Sequence, residues 1–408
     1  MAQSEQDALT ERLGRYPLPR YPVQHATTQF HLGSVLLHVG EVDAAQACLT
    51  VARNVFAGTG MRLEQAKATI MLGVALRLAG RLDEAQAAFT AAGTAFSLLD
   101  QAAEQAAASY NLGLVSQDRG DSRGGHTAWT TARELFLAAG HPAQAAAAAR
   151  DHGGSLLTAG DVAAAVSMLS EAVTLAQRAD DRPGCGAAGN TLGLAYLAGG
   201  DPNSAVEALR DALVSFPRSV RPAEHAMVKA NLALAYEQAN DPARAHLAAG
   251  QALAFTSAAA PVRQQARQVL SRLPGPAYTA LLRVLDDESP EQRVPVLRAE
   301  VLRLVEAPAT GRDREVRGLL DGLLARPGTC YELAEGLLTV VLELPPASYT
   351  TLIAALVEGT GRRTEQDADR LRAVFSSAMA RFALPQWQRI AASLNAAAAT
   401  VDQPAQWR

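Results

Sequence analysis

Lysine is almost absent from this chain: Lys67 and Lys229 are the only two, and the remaining 35 of its 37 basic residues are Arg. Such a skew reads as high-GC codon usage rather than as an enrichment for function. Aromatic residues are sparse as well, at 5%, so a core must be built mainly from Ala and Leu, which favour helix and let helices pack closely. Cys48, Cys185 and Cys330 are far apart and form no C-x-x-C pair. That excludes a disulfide framework and a Cys-based zinc site, and leaves each as a small buried hydrophobe. Neither sign of charge dominates, with a net charge of −4 and a pI near 6.1, so nucleic acid and anionic membranes are not expected partners. The chain has no uncharged apolar run of about 18 residues. Its opening MAQSEQDALTERLGRYPLPRYP carries acidic residues and no apolar h-region, and a cytoplasmic protein is expected. No G-x-G-x-x-G after a strand, P-loop, G-x-S-x-G or H-E-x-x-H occurs. The expectation is a non-enzyme with no cofactor, no metal and no catalytic residue.

What the chain does have is a repeat. Gly40, Gly80, Gly120, Gly160, Gly200 and Asn240 stand 40 residues apart; a second ladder runs through Gly33, Gly73, Gly113, Gly153, Gly193 and Ala233, and a third through Ala52, Ala92, Ala132, Ala172, Ala212 and Ala252. A fixed period of this size marks a stacked array, which offers a surface more readily than a reaction centre. Apolar residues recur at helical spacing on both sides of each loop Gly, as in Leu72, Leu76 and Ala79 before Gly80 and Ala85, Phe89 and Ala92 after it. Each unit is therefore two helices and a tight turn, where Gly supplies left-handed backbone and Asp or Pro begins the second helix. A mid-helix Gly such as Gly73 costs about 1 kcal/mol against Ala. Its recurrence implies that the neighbouring helix comes too close for a side chain.

These residues resemble the tetratricopeptide repeat. Leu32-Gly33, Leu72-Gly73, Leu112-Gly113 and Leu192-Gly193 supply its Leu-Gly pair, with a large residue three on at Tyr196 and Tyr236. The small residue at Ala45, Ala85, Ala165, Ala205 and Ala245, the large one at Leu49, Phe89, Trp129, Leu169 and Leu209, and the closing Ala ladder complete the match. The usual family unit is shorter, and the longer unit here is similar to the long-helix variant of kinesin light chain; Asn111-Leu112-Gly113 and Asn231-Leu232-Ala233-Leu234-Ala235-Tyr236 come closest. The resemblance covers about residues 24 to 258 and implies an all-α, right-handed superhelical solenoid of six helical hairpins. His152 replaces the usual Leu in the fourth unit, and Ser116 and Gly125 weaken the third. Residues 260–273 read as a cap helix, ended by Pro274-Gly275-Pro276.

Three segments are expected: an extended one over 1–23, whose YPLPRYP could lie across the groove; the solenoid with its cap over 24–273; and a helical C-terminal domain over 274–408. The last has about seven helical stretches, three of them opened by Pro-x-x-x-Tyr at Pro274/Tyr278, Pro327/Tyr331 and Pro345/Tyr349, with loops at 307–313 and 359–364. Its family is not recognised, and a homodimer through it is one expectation.

In the family, the first helix of each unit lines a concave groove that meets the ligand. Carried onto this chain, the groove-facing residues are Phe30, His31, Ser34 and His38; Lys67 and Arg77; Tyr110, Asn111, Gln117 and Asp118; Arg150 and Asp151; Asn190; and Met227, Asn231 and Glu237. This mixed set suits an extended peptide with apolar and charged residues. Asn111 and Asn231 are the sharpest candidates, since an amide offers a donor and an acceptor to a peptide backbone; a helix-bonded Asn is the alternative. The family's clamp for a C-terminal carboxylate fails here, because Phe30, Ser34, Met71 and Ala107 stand at four of its five places. His31 and His38 share a helix face without a nearby carboxylate, a weak metal site. Asp151 and His152 are adjacent and point about 100° apart, so they form no acid–base pair. The leading expectation is an adaptor that binds a peptide or protein segment. The alternatives are a peptide-sensing regulator signalling through the C-terminal domain, and a small-molecule binder or enzyme.

Overall fold

The computed structural model describes residues 2–273, 278–326, 330–401, 403, 404 and 407, and among these it has 21 helices and no strand. The chain divides into two compact units, residues 1–201 and 202–408. Unit 1 holds α1 (Ala2–Arg15), α2 (Pro22–Val39), α3 (Val42–Gly58), α4 (Arg62–Leu78), α5 (Leu82–Leu98), α6 (Ala102–Asp118), α7 (Ser122–Ala138), α8 (Pro142–Thr158), α9 (Val162–Arg178) and α10 (Arg182–Ala198).

The chain reverses twice in every period of the sequence ladders, so half of its turns are not announced by them. Positive φ recurs at Gly40, Gly60, Gly80, Asp100, Gly120, Gly140, Gly160, Asp180 and Gly200. At each turn the next N–H reaches back over the helix end, as from Glu41 N to Leu36 O at 2.9 Å and from Met61 N to Phe56 O at 3.0 Å. This Schellman closure satisfies carbonyls that the helix end leaves open. Asp121, Asp161 and Asp181 then start the following helix, each carboxylate accepting from the N–H three residues on.

The mid-helix Gly ladder has a specific partner. A Cβ built on Gly33, Gly73 or Gly153 would meet Leu49 Cγ at 2.6 Å, Phe89 Cε1 at 2.7 Å or Leu169 Cγ at 2.6 Å, and one on Gly113 would strike the Trp129 ring. What comes too close is thus the large side chain on the second helix of the same hairpin, wedged between the two helices and fully buried. A further buried ladder, Phe56, Phe96 and Phe136, follows two turns later along each second helix.

The N-terminal segment is not extended. Residues 2–15 form α1, which packs on α2, and YPLPRYP is a wide turn closed by Tyr21 N to Pro17 O at 3.0 Å. His25 Nδ1 lies 2.9 Å from Tyr16 O across it. The same device recurs in the second half of the chain, where Arg221 N bonds to Pro217 O at 2.9 Å and His225 Nδ1 lies 2.8 Å from Phe216 O. The prolines at its two ends, Pro17 with Pro22 and Pro217 with Pro222, make this a local turn rather than a ligand-like strand.

Unit 2 comprises α11 (Pro202–Ser215), α12 (Pro222–Gln238), α13 (Pro242–Leu253), α14 (Ala260–Arg272), α15 (Tyr278–Asp286), α16 (Pro290–Glu306), α17 (Ala309–Leu324), α18 (Cys330–Leu342), α19 (Pro346–Gly361), α20 (Glu365–Met379) and α21 (Leu384–Thr400). The cap helix α14 packs on α12 and α13. From α15 onward each helix packs chiefly on the next but one, α15 on α17, α16 on α18 and so to α19 on α21. One apolar core runs from Ala243 and Leu247 of α13 to Trp407, so the packing does not divide at residue 274, where a domain boundary was expected. The expected loops at 307–313 and 359–364 are partly helix, since α17 starts at Ala309 and α19 runs to Gly361. Arg362 pairs with Glu358 and Asp313, and Arg363 with Asp321. Tyr349, after Pro345, packs inward; Pro274–Pro276 and Pro327 lie outside the described residues. Cys48 and Cys185 are only partly buried, whereas Cys330 is buried.

Candidate functional site

In unit 1 the first helices of successive hairpins, α2, α4, α6, α8 and α10, lie side by side. Side chains one turn apart on each make a continuous face. On α2, half-buried Phe30 meets exposed His31 edge-on, the Ser34 hydroxyl donates to Phe30 O at 3.0 Å, and His38 is exposed. On α4, Lys67 is exposed and Arg77 half-buried.

The charges of this face pair across helices. Arg77 Nη1 donates to Asp118 Oδ2 on α6 at 3.0 Å, and Tyr110 Oη donates to Asp151 Oδ2 on α8 at 2.5 Å. Arg150 Nε donates to the other oxygen of Asp151 at 2.8 Å. Both interhelix pairs join positions that differ by one repeat unit plus one residue, the offset at which neighbouring first helices face each other. Burial raises the Tyr110 phenol far above the usual tyrosine range, reinforced by the Asp151 charge and hydrogen bond and opposed by Arg150 and Arg77. Its hydroxyl therefore stays a donor at any physiological pH. Gln117 is exposed beside this cluster, and Asn190 is buried on α10.

The two Asn candidates are already hydrogen-bonded within the protein. Asn111 Nδ2 donates to Ala107 O of its own helix at 2.8 Å. In unit 2, Asn231 is buried and its Oδ1 accepts from Gln265 Nε2 of α14 at 2.8 Å. Glu237 receives Arg272 of the same helix through two bonds, of 2.7 and 2.6 Å. The cap helix thus occupies both, while Met227 remains half-buried on α12. Sequence reading gave these residues to a ligand because it could not see that α14 lies against α12.

His152 turns inward while Asp151 stays on the face. It is buried, stacked on Trp129 at 6.2 Å between ring centroids, and its Nε2 lies 2.7 Å from His126 Nδ1. Burial, with the charges of His126 and Arg133, pushes its pKa down to about 4. It is a neutral core histidine. Among the described residues no group of three His, Cys, Asp or Glu side chains is placed to hold a metal, and no helix is long and apolar enough to cross a membrane.

Residues 144–214, spanning α8 to α11, match the family model of the tetratricopeptide repeat. Among solved structures, the chain is similar to BtubC of P. vanneervenii, at 16% identity and a TM-score of 0.47 over 58% of this chain and 93% of that one. It is also similar to the kinesin light chain TPR-like repeats of Podospora anserina, at 16% identity and 0.39 over 50% and 95%. A third likeness is to the apo form of RapI, at 10% and 0.45 over 93% and 98%. No curated protein matches.

Proposed function

Starting from a helical array that carries tetratricopeptide repeats, a fold that serves widely in protein–protein interaction, we propose that this protein is a non-enzymatic adaptor. It holds a peptide or protein segment on the first-helix face of unit 1. The observation that carries this reading is the composition of that face. Its carboxylates Asp118 and Asp151 are paired with Arg77 and Arg150, the second also accepting from Tyr110, while Phe30 on α2, Ile70, Met71 and Val74 on α4 and Leu114 on α6 stay half-buried. Half-buried apolar side chains on a face of paired charges gain from a partner that covers them, at about 25 cal/mol per Å² removed from water. Exposed Lys67 adds a cation at one end, suited to an acidic residue of the partner.

The test is capture from native lysate with mass spectrometry, comparing wild type with Met71→Glu/Val74→Glu. Charged groups there oppose apolar contact with a partner, so partners should be lost from a double variant that circular dichroism shows to be folded. A folded double variant that retains every partner at wild-type yield refutes the assignment of this face.

A further inference from the structure

Lys229 stands apart from the rest of the chain's charges. It is only 9% exposed, and it makes no hydrogen bond or ion pair among the described residues. Burial holds its ammonium below the usual lysine range, against the opposing pull of Glu288. An ammonium carried on so buried a side chain is costly without a partner.

The residue lines a cavity of about 280 Å³, set among α11, α12, α13 and the residues that follow α15. That volume lies at the small end of ligand sites, ~300–1,000 Å³, and is too small for an extended peptide. Its lining carries charges of both signs. The cations are Lys229, Arg244 and Arg210 from α11, the last exposed and without an ion pair among the described residues. The carboxylates are Asp287 and Glu288. Arg244 is already paired with Asp241 at 2.8 Å, which leaves two cations and two carboxylates. Lys229 and Glu288 are not within ion-pair distance of each other, although Glu288 is near enough to act on the ammonium, and Glu288 Oε2 is held by Gln251 Nε2 at 3.1 Å. Leu213, Leu232, Leu247 and Val284 add apolar lining.

We propose that this cavity binds a free aliphatic α-amino acid. Its carboxylate lies against Lys229 and Arg210, its ammonium against Glu288 and Asp287, and its side chain on the leucine and valine wall. The ligand must carry both charges, because a simple carboxylate leaves the acids facing it and a simple amine leaves Lys229 unpartnered. This site is separate from the face of unit 1 and does not depend on it.

The test is calorimetric titration of the full chain with L-leucine, L-isoleucine and L-valine. The comparison ligands are 4-methylpentanoate and isopentylamine, which each lack one charge of leucine. At least one of the three amino acids should bind saturably, and both analogues should bind at least tenfold more weakly. Lys229→Met, which keeps the buried stem, and Arg210→Ala, at an exposed position, should each weaken binding tenfold or more. Arg210→Ala carries the test if Lys229→Met does not fold. The proposal is overturned if none of the three amino acids binds, if an analogue binds as well as leucine, or if binding survives in either folded variant.

Discussion

Gly153 and Gly154 are neighbours in the middle of α8, and replacement with Ala should raise stability at Gly154 but leave it unchanged or lower it at Gly153. Both substitutions gain the same helix propensity, about 1 kcal/mol. A Cβ on Gly154 meets nothing within 4 Å, so that gain is realised in full. A Cβ on Gly153 would sit 2.6 Å from Leu169 Cγ and 2.9 Å from its Cδ2. Leu169 is fully buried and cannot swing aside, so overpacking of about 1–3 kcal/mol is added. Because the propensity term is common to both, the difference between the two variants isolates packing. For a unit of this size it corresponds to roughly 2–12 °C in melting temperature, Gly154→Ala being the more stable. Thermal melts of the full chain followed by circular dichroism measure it directly. Leu169→Ala should cost about 2–5 kcal/mol alone, and the double change Gly153→Ala/Leu169→Ala should cost less than the sum of the singles. Equal melting temperatures for the two Ala variants, or an additive cycle, would refute the account of the glycine ladder as a socket for the facing side chain.

Two other outcomes are expected. His152 is held neutral, with a folded pKa of about 4 against the usual 6.5, so the unfolded chain binds its proton first and stability is lost as pH falls from 6.5 towards 4. At about 1.36 kcal/mol per unit the loss is at most about 3 kcal/mol; urea unfolding at mildly alkaline pH and again near the folded pKa should show it, and His152→Leu should flatten it. Asp181→Ala removes the carboxylate that accepts from Gly184 N at 2.9 Å and should lower stability by about 1 kcal/mol. A melting temperature unchanged within error contradicts the capping role.

The hairpins were legible because their tightest contacts are made by residues without side chains, and a missing side chain leaves a clear periodic mark. The intervening turns were not, because Asp100 and Asp180 adopt the left-handed backbone that Gly60 and Gly140 adopt, and a ladder of mixed residue types is easily overlooked. The wide turn at 16–22 could have been found from its copy at 216–222, which carries the same prolines and is followed by the same histidine. On the first-helix face the sequence grouped Tyr110, Arg150 and Asp151, which are linked in the structure, but it also placed there Asn190 and Asn231, which are buried. It could not say which of them are already engaged: Asn111 is bonded within its helix and Asn231 to α14. In residues 278–401 the helices were readable from their apolar spacing, but packing on the next helix but one leaves no fixed period to read.

The uniform step from turn to turn makes unit 1 modular in length. Each wedge such as Phe89 or Leu169 seats against a glycine of its own hairpin, so the contacts that define a hairpin travel with it when it is copied or excised. Removing residues 62–101, the α4–α5 hairpin, would join Met61 to Ala102 at equivalent points of two turns, leaving a shorter array in the same phase. Evolution or design can therefore change the reach of this surface in whole hairpins, whereas the loss of a single residue in one turn would rotate everything beyond it.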